Sequence, residues 1–286
     1  MKKSTLLHLR IPFSFFLMPV FLLAVAVSEH ISYENLFLSF LILHLLVYPA
    51  SNGYNSYFDK DEGSIGGLKV PPKVTKELYW VSLIFDLIGL ILALLISWEF
   101  MVMIFIYGLI SKAYSHPNYR LKSRPIIGWL AAGVFQGYFT FILSYIAITD
   151  TSLIQSWTWD IQIPGILSSI LLLGSYPMTQ VYQHEEDSKR GDITISLKLG
   201  VLGTFHFTSI AFFLASLGFV GYFIVYHSLS DAIVFLSSMT PILAYFGVWY
   251  LKVRKDRSKA DFTSTMRLNF LSSIMLNAFF IYLWLS

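Results

Sequence analysis

The sequence predicts an all-α protein embedded in a membrane, and three observations lead there. Apolar residues make up 56% of the 286 and charged residues only 13%, about half the roughly 25% of a soluble domain. The apolar residues fall in runs of about 18 or more with few charges, the length a helix needs to cross a bilayer. The charges that remain lie on alternate sides of those runs.

Nine spans follow in order, at 11–28, 35–57, 77–97, 99–115, 126–148, 163–184, 200–226, 230–251 and 263–285. The first follows Lys2, Lys3 and Arg10 and has the look of a secretory leader. Ser28-Glu29-His30 is a poor small-residue cleavage site, so the run is expected to stay as a span. The second and sixth spans run into polar segments at their C-terminal ends. The third carries Asp86 in mid-span, and a basic segment precedes the fifth. No soluble domain fits between the runs, so residues 1–286 read as one membrane domain.

Charge tests the count independently. With the N-terminus on side one, that side holds Lys2, Lys3 and Arg10 and the segments 58–76, 112–124, 185–198 and 252–267. All 20 Lys and Arg residues fall there or at adjoining span ends. Side two holds Glu29, Glu34, Glu99, Asp150, Asp160 and Asp231 and no cation. The positive-inside rule makes side one cytoplasmic, with the C-terminus on the far side. Trp98, Trp157, Trp159 and Trp284 fall near outer span ends, where amphipathic rings favour the interface. No cysteine is present, which excludes disulfides, thiolate metal sites and a cysteine nucleophile.

Two polar segments break the membrane pattern, both at cytoplasmic ends. One runs from Ser51 to Gly63 and the other from Tyr182 to Thr194. Asn52, Asn55 and Asp59 are three and four apart and share one helix face. Gln183 or His184 pairs with Asp187 in the same way. Two such faces turned toward each other would form an oxygen-rich pocket of the kind that binds Mg²⁺ together with phosphate. An acidic helix end in a solvated loop is the alternative, but Asn52 and Asn55 lie deeper, where polar groups are costly unless they line a cavity. A third segment, Tyr114 to Pro125, brings Arg120, Lys122 and Arg124 to the same side, where cations can clamp a diphosphate or simply fix topology. Asp86 and His44 are each open between a functional and a structural role; His206 and Asn277 read as satisfied interior groups.

Taken in this order, the three segments resemble the UbiA superfamily of intramembrane prenyltransferases. NSYFDKDEG matches the family's N-D-x-x-D-x-x-x-D at Asn55 and Asp59, while Ser56 and Gly63 stand where the family has acids and Asp61 and Glu62 lie close by. QHEEDSKRGDIT matches the second motif at Asp187, Gly191 and Thr194. Gln183 stands at its first acid, and Glu186 is the nearest carboxylate. YSHPNYRLKSRP is similar to the family's basic loop after the fourth helix, closest to the branch with chlorophyll synthases and archaeal ether-lipid enzymes.

The resemblance implies nine transmembrane helices around a central cavity, and Mg²⁺-dependent transfer of a prenyl group from an allylic diphosphate to an aromatic or other lipid-precursor acceptor. The implied metal ligands are Asn55, Asp59, Asp61, Glu62, Glu186 and Asp187. Arg120 and Lys122 would act with Asp59 and Asp187 in ionisation. Asn52, Asn55, Lys112, Tyr114, Lys189, Gln183, Tyr138 and Tyr182 would bind substrate. Tyr48, Tyr54, Phe135, Tyr138, Phe139, Tyr176 and Tyr182 are candidates to line the cavity, because ring faces attract cations. The expected partners are the prenyl diphosphate, the acceptor and membrane lipid, with no nucleic acid. The expected location is the bacterial inner membrane. Two rival readings stand beside this one. A prenyl-lipid-binding relative of impaired activity is motivated by Gly63 and Gln183. A secondary transporter would instead place its polar groups near the midplane.

Overall fold

The computed structural model describes residues 1–286, and every regular element but one isolated bridge, Ile65 with Leu68, is helical. The chain opens with α1 (Lys3–Leu9), a 3₁₀ turn (Ile11–Phe16) and α2 (Met18–Ala26), bent by 41° between the turn and α2. It continues through α3 (Tyr33–Asp59), α4 (Lys76–Ala93), α5 (Trp98–Ser115), α6 (Pro125–Thr149) and α7 (Trp159–Gln180). The short α8 (His184–Arg190) precedes the long α9 (Ile195–Tyr226), α10 (Leu229–Lys255) and α11 (Phe262–Leu285).

Capping side chains fix many of these starts. Ser32, Ser97, Thr194, Ser228 and Asp261 each accept a backbone N–H from the first turn of the following helix, which satisfies donors that a helix start leaves orphaned. The ends near the site are made by left-handed residues: Lys60 at φ 49° stops α3 immediately after Asp59, and Gly191 at φ 75° stops α8. Two π turns, Ile42–Val47 in α3 and Phe135–Phe139 in α6, add a residue to a helical turn and re-aim the faces that follow.

Six helices (α3, α6, α7, α9, α10 and α11) are long and apolar enough to cross a membrane, and the bent α1–α2 pair makes a seventh. α4 and α5 are 18 residues each and carry Lys76, Glu77 and Asp86, or Glu99 and Lys112. The nine spans expected from sequence thus reduce, by length and composition, to six or seven.

Consecutive helices pack side by side, and α11 closes the ring against α2. The loops gather at two ends. At one end Lys2 N donates to Glu77, Ser4 to the Lys73 carbonyl, Arg10 to the Gly66 carbonyl and Trp249 to the Lys259 carbonyl. At the other, Leu153 N donates to Glu99, Ser32 N to the Ile148 carbonyl and Tyr222 to the Asp160 carbonyl. The segregation is the one the charges predict. Leu87, Ile91, Phe213 and Leu217 lie exposed on the outer faces, as a lipid-facing surface requires. Trp98, Trp157 and Trp159 are exposed around the second end.

Candidate active site

Inside the ring lie two chambers that share a wall. The polar chamber, about 250 Å³, lies where α3, α5, α6 and α7 meet at the basic end, and Arg10, Asp59, Asp61 and Lys122 line it. The apolar chamber, about 170 Å³, runs deeper between α2, α3, α7, α9, α10 and α11; no charged side chain lines it. Phe13, Ser51, Asn52, Tyr107, Gln136, Tyr176 and Thr179 border both, so the throat where they adjoin is made of amides, hydroxyls and rings.

The three residues expected on one face of α3, Asn52, Asn55 and Asp59, all border the polar chamber, and Ser56 joins them. The Asp59 side chain is only 4% exposed, with the Lys122 ammonium against one oxygen and the Arg120 guanidinium 3.7 Å from the same atom. Asn55 Oδ1 is buried with no hydrogen-bond partner. A buried amide oxygen left unpaired one turn from a buried carboxylate costs free energy, and a hard cation or its bound water would satisfy it.

From the facing end, Gln183 and Tyr182 border the chamber, and Gln183 Nε2 donates to the Ser64 carbonyl at 3.2 Å. Asp187 accepts a hydrogen bond from Thr194 Oγ1 at 3.2 Å. Burial raises its carboxyl to about 6, against lowering by Thr194 and the Lys122 charge. Asp59 and Asp187 therefore both feel Lys122. Arg190 joins the two segments, pairing with Asp61 and, at 2.6 Å, with Glu186. Glu186 Oε1 also accepts the backbone N–H groups of Glu62 (3.1 Å) and Gly63 (3.4 Å). A Cβ on Gly63 would lie 2.5 Å from Glu186 Oε2, so the glycine makes room for that carboxylate.

Arg120 sits at the basic loop's left-handed turn, φ 37°. Its fork donates to both oxygens of Asp192 at 2.8 and 2.7 Å, and these hydrogen bonds raise its pKa further. Tyr114 lines the polar chamber, hydrogen-bonded hydroxyl to hydroxyl with Tyr176.

Other predicted residues lie elsewhere. Lys112 turns from the chamber to pair with Asp86 between α4 and α5, 5.4 Å from the Tyr54 ring. Lys189 is exposed and pairs with Glu185 at 2.6 Å. Tyr138 hydrogen-bonds Gln162 outside both chambers. Of the aromatic candidates, Tyr48, Phe135, Tyr176 and Tyr182 line a chamber; Tyr54, Tyr138 and Phe139 do not. His44 is buried in a ring stack against Phe40, His206 is exposed and bonds the Tyr250 hydroxyl at 2.7 Å, and Asn277 is buried with its amide unpartnered.

Two site residues escaped the sequence reading. Asp192, which holds Arg120, is an ordinary loop acid in sequence. Arg10 looks topological, yet its buried guanidinium borders the polar chamber, donating to Asn52 Oδ1 at 3.1 Å and to the Gly66 carbonyl at 3.0 Å. Its position at the break after α1, with φ 46°, marks a turn that aims the side chain inward.

Residues 16–274 match the model of the UbiA prenyltransferase family. The chain belongs to this family. It is an integral membrane protein of UbiA-like fold. A UbiA homologue from Aeropyrum pernix K1 in its apo form superposes with a TM-score of 0.73 at 18% identity, covering 96% of this chain and 98% of that one. A homologue from Archaeoglobus fulgidus, bound to DMAPP and Mg²⁺, gives 0.70 at 16% identity over 98% and 99%. A digeranylgeranylglyceryl phosphate synthase gives 0.64 at 19% identity over 99% of both chains. No curated protein matches in sequence. No three of its His, Asp or Glu side chains are drawn together as a metal cluster; Asp59 is paired with Lys122, and Asp61 and Glu186 with Arg190.

Proposed function

We propose that this chain is an intramembrane prenyltransferase that moves a prenyl group from an allylic diphosphate to an aromatic or other lipid-precursor acceptor. The observation that carries the reading is the join between the two chambers. A polar chamber bordered by acids, amides and cations adjoins, at that throat, an uncharged apolar one. That sequence of environments matches a prenyl diphosphate read from head to tail. The likeness to homologues bound to DMAPP or GPP with Mg²⁺ supports the reading.

The unpaired Asn55 oxygen and the hard-oxygen donor set fit Mg²⁺. Asn55, Asp59 and Asp187 would hold it, with Asp61, Glu62 and Glu186 beside them. When bound, the metal supplies Lewis-acid neutralisation of the departing diphosphate.

The chain's own residues do the rest. Lys122 and Arg120 present positive charge where the leaving oxygen gains negative charge, inside a site that water does not level. Arg10 adds a third cation on the α1 side. As the C–O bond breaks, the carbon left positive faces the rings of Tyr107 and Tyr176 at the throat. The apolar chamber keeps water from quenching it. Asn52, Gln136 and Thr179 orient what lies in the throat through hydrogen bonds.

In the same reading α4 and α5 cross the bilayer too, which with the six long helices and the bent α1–α2 pair makes nine spans. The N-terminus and the site face the cytoplasm and the C-terminus lies outside it, in a bacterial inner membrane. The segregation of every Lys and Arg to one end supports this. The test is release of diphosphate from labelled geranyl, farnesyl and geranylgeranyl diphosphates by purified protein with Mg²⁺, and loss of release with EDTA. Protein that binds these donors but releases no diphosphate, even with a membrane lipid extract supplied as the source of acceptor, would establish the impaired relative instead.

A further inference from the structure

Arg190 is the cation that joins the two acidic segments. Its guanidinium donates to Asp61, which borders the polar chamber, and to Glu186 Oε1 at 2.6 Å. The group is 22% exposed, so it is not walled in. A guanidinium carries five donors in a planar fork that matches phosphate as well as carboxylate. Glu186 has a second anchorage in the N–H groups of Glu62 and Gly63 and stays on the loop without Arg190.

Asp59, which lines the chamber beside this clasp, repeats the arrangement. Asp59 is held by Lys122 and Arg120, and no group of acids stands ready for a metal. A bare divalent cation that takes Asp59, Asp61 or Glu186 must displace a cation of the protein. A bare diphosphate that takes Arg120, Lys122 or Arg190 must pull it off its carboxylate. Either event alone leaves a partly buried charge unpaired, which is strongly unfavourable. When both ligands enter, the carboxylates pass to the metal, the guanidinium and ammonium pass to the diphosphate, and nothing is left unpaired.

We propose that Arg190 is a diphosphate-binding residue held in reserve between Asp61 and Glu186, and that this exchange makes binding of Mg²⁺ and of diphosphate mutually dependent. The inference rests on the prenyltransferase reading of the site. It adds a ligand of the leaving group and a thermodynamic coupling.

The experiment is titration calorimetry on the full chain in detergent, with MgCl₂ alone, inorganic diphosphate alone, and each in the presence of the other. In the unaltered protein, saturating Mg²⁺ should raise diphosphate affinity at least about tenfold, and diphosphate should raise Mg²⁺ affinity equally. Arg190→Gln should move the two ligands in opposite directions. Mg²⁺ alone should bind about three- to tenfold tighter, because Asp61 and Glu186 are freed, while diphosphate with Mg²⁺ should bind about tenfold weaker. A clasp with only a structural role would weaken both together or neither.

Asp61→Asn provides the second arm. It loosens Arg190 without removing it and should raise diphosphate affinity measured without Mg²⁺. If Arg190→Gln does not fold, Asp61→Asn decides alone, and no rise there overturns the proposal. Unaltered protein that binds neither ligand, singly or together, would sink the prenyltransferase reading itself. Coupled binding that both variants leave unmoved would sink only the role of Arg190.

Discussion

Two acids in this protein are buried against lysines, and they teach different things. Asp59 meets Lys122 and Arg120 beside a chamber of about 250 Å³. Asp86 meets Lys112 between α4 and α5 and borders neither chamber. The chemistry of the pairs is the same, but only the first has space beside it for a ligand to change its partners. An ionisable group inside a membrane protein is a functional candidate by default; adjoining space is what separates a site from a strut.

That contrast can be broken from its strongest side first. Under the proposed function Asp59→Asn should lower turnover on the order of a thousandfold, with normal elution on gel filtration, because it takes the charge from the carboxylate assigned to the metal. A rate within tenfold of the parent would dissolve the distinction. Lys122→Ala should cost about a hundredfold in kcat, the scale of losing one group that stabilises a leaving charge. Unchanged kinetics would return the basic loop to a purely topological role.

Acidity sharpens the comparison on the facing segment. The Asp187 carboxyl titrates near 6, raised from 3.8. Between those values the folded, metal-free chain binds more protons than the unfolded one, so its stability falls as pH rises through the window. Metal binding needs the ionised form, so Mg²⁺ affinity should fall about tenfold for each unit below about pH 6. Affinity that stays flat from pH 7 to pH 5 would remove Asp187 from the site.

The strut makes the converse prediction. Lys112→Met strands Asp86 and should lower the melting temperature in detergent by about 5 °C, with kcat changed less than about threefold. Adding Asp86→Asn should recover much of that loss. A large kcat effect with unchanged melting would move Lys112 back to the substrate. Lys189→Ala, which touches only an exposed i,i+4 pair, should change neither quantity measurably.

The same contrast explains what was legible beforehand. Asn52, Asn55 and Asp59 could be read together because a helix turns spacings of three and four into a shared face, and all three border the polar chamber. Lys112 was misplaced because its partner lies 26 residues away on an antiparallel neighbour, and periodicity within one helix carries no information about the next. Arg10 and Asp192 were missed for the same reason: each is defined by a partner 42 or 72 residues distant. Segregation of the charges into two ends was legible in full, since it depends only on the order of spans. Which α3 faces look inward also depends on the π turn at Ile42–Val47, a backbone feature without a residue signature.

The throat has a practical consequence. The molecules that suit it are defined by an order of character, anion first and hydrocarbon after, more than by a particular outline. Many single-chain surfactants and lysolipids have that order. Under the proposed function an anionic amphiphile used to extract the protein would compete with the donor, and apparent donor affinity should track the headgroup charge of the solubilising agent. Neutral sugar-headed amphiphiles, which bring nothing for Arg10, Arg120 or Lys122 to hold, are the medium in which this protein will reveal its own preferences.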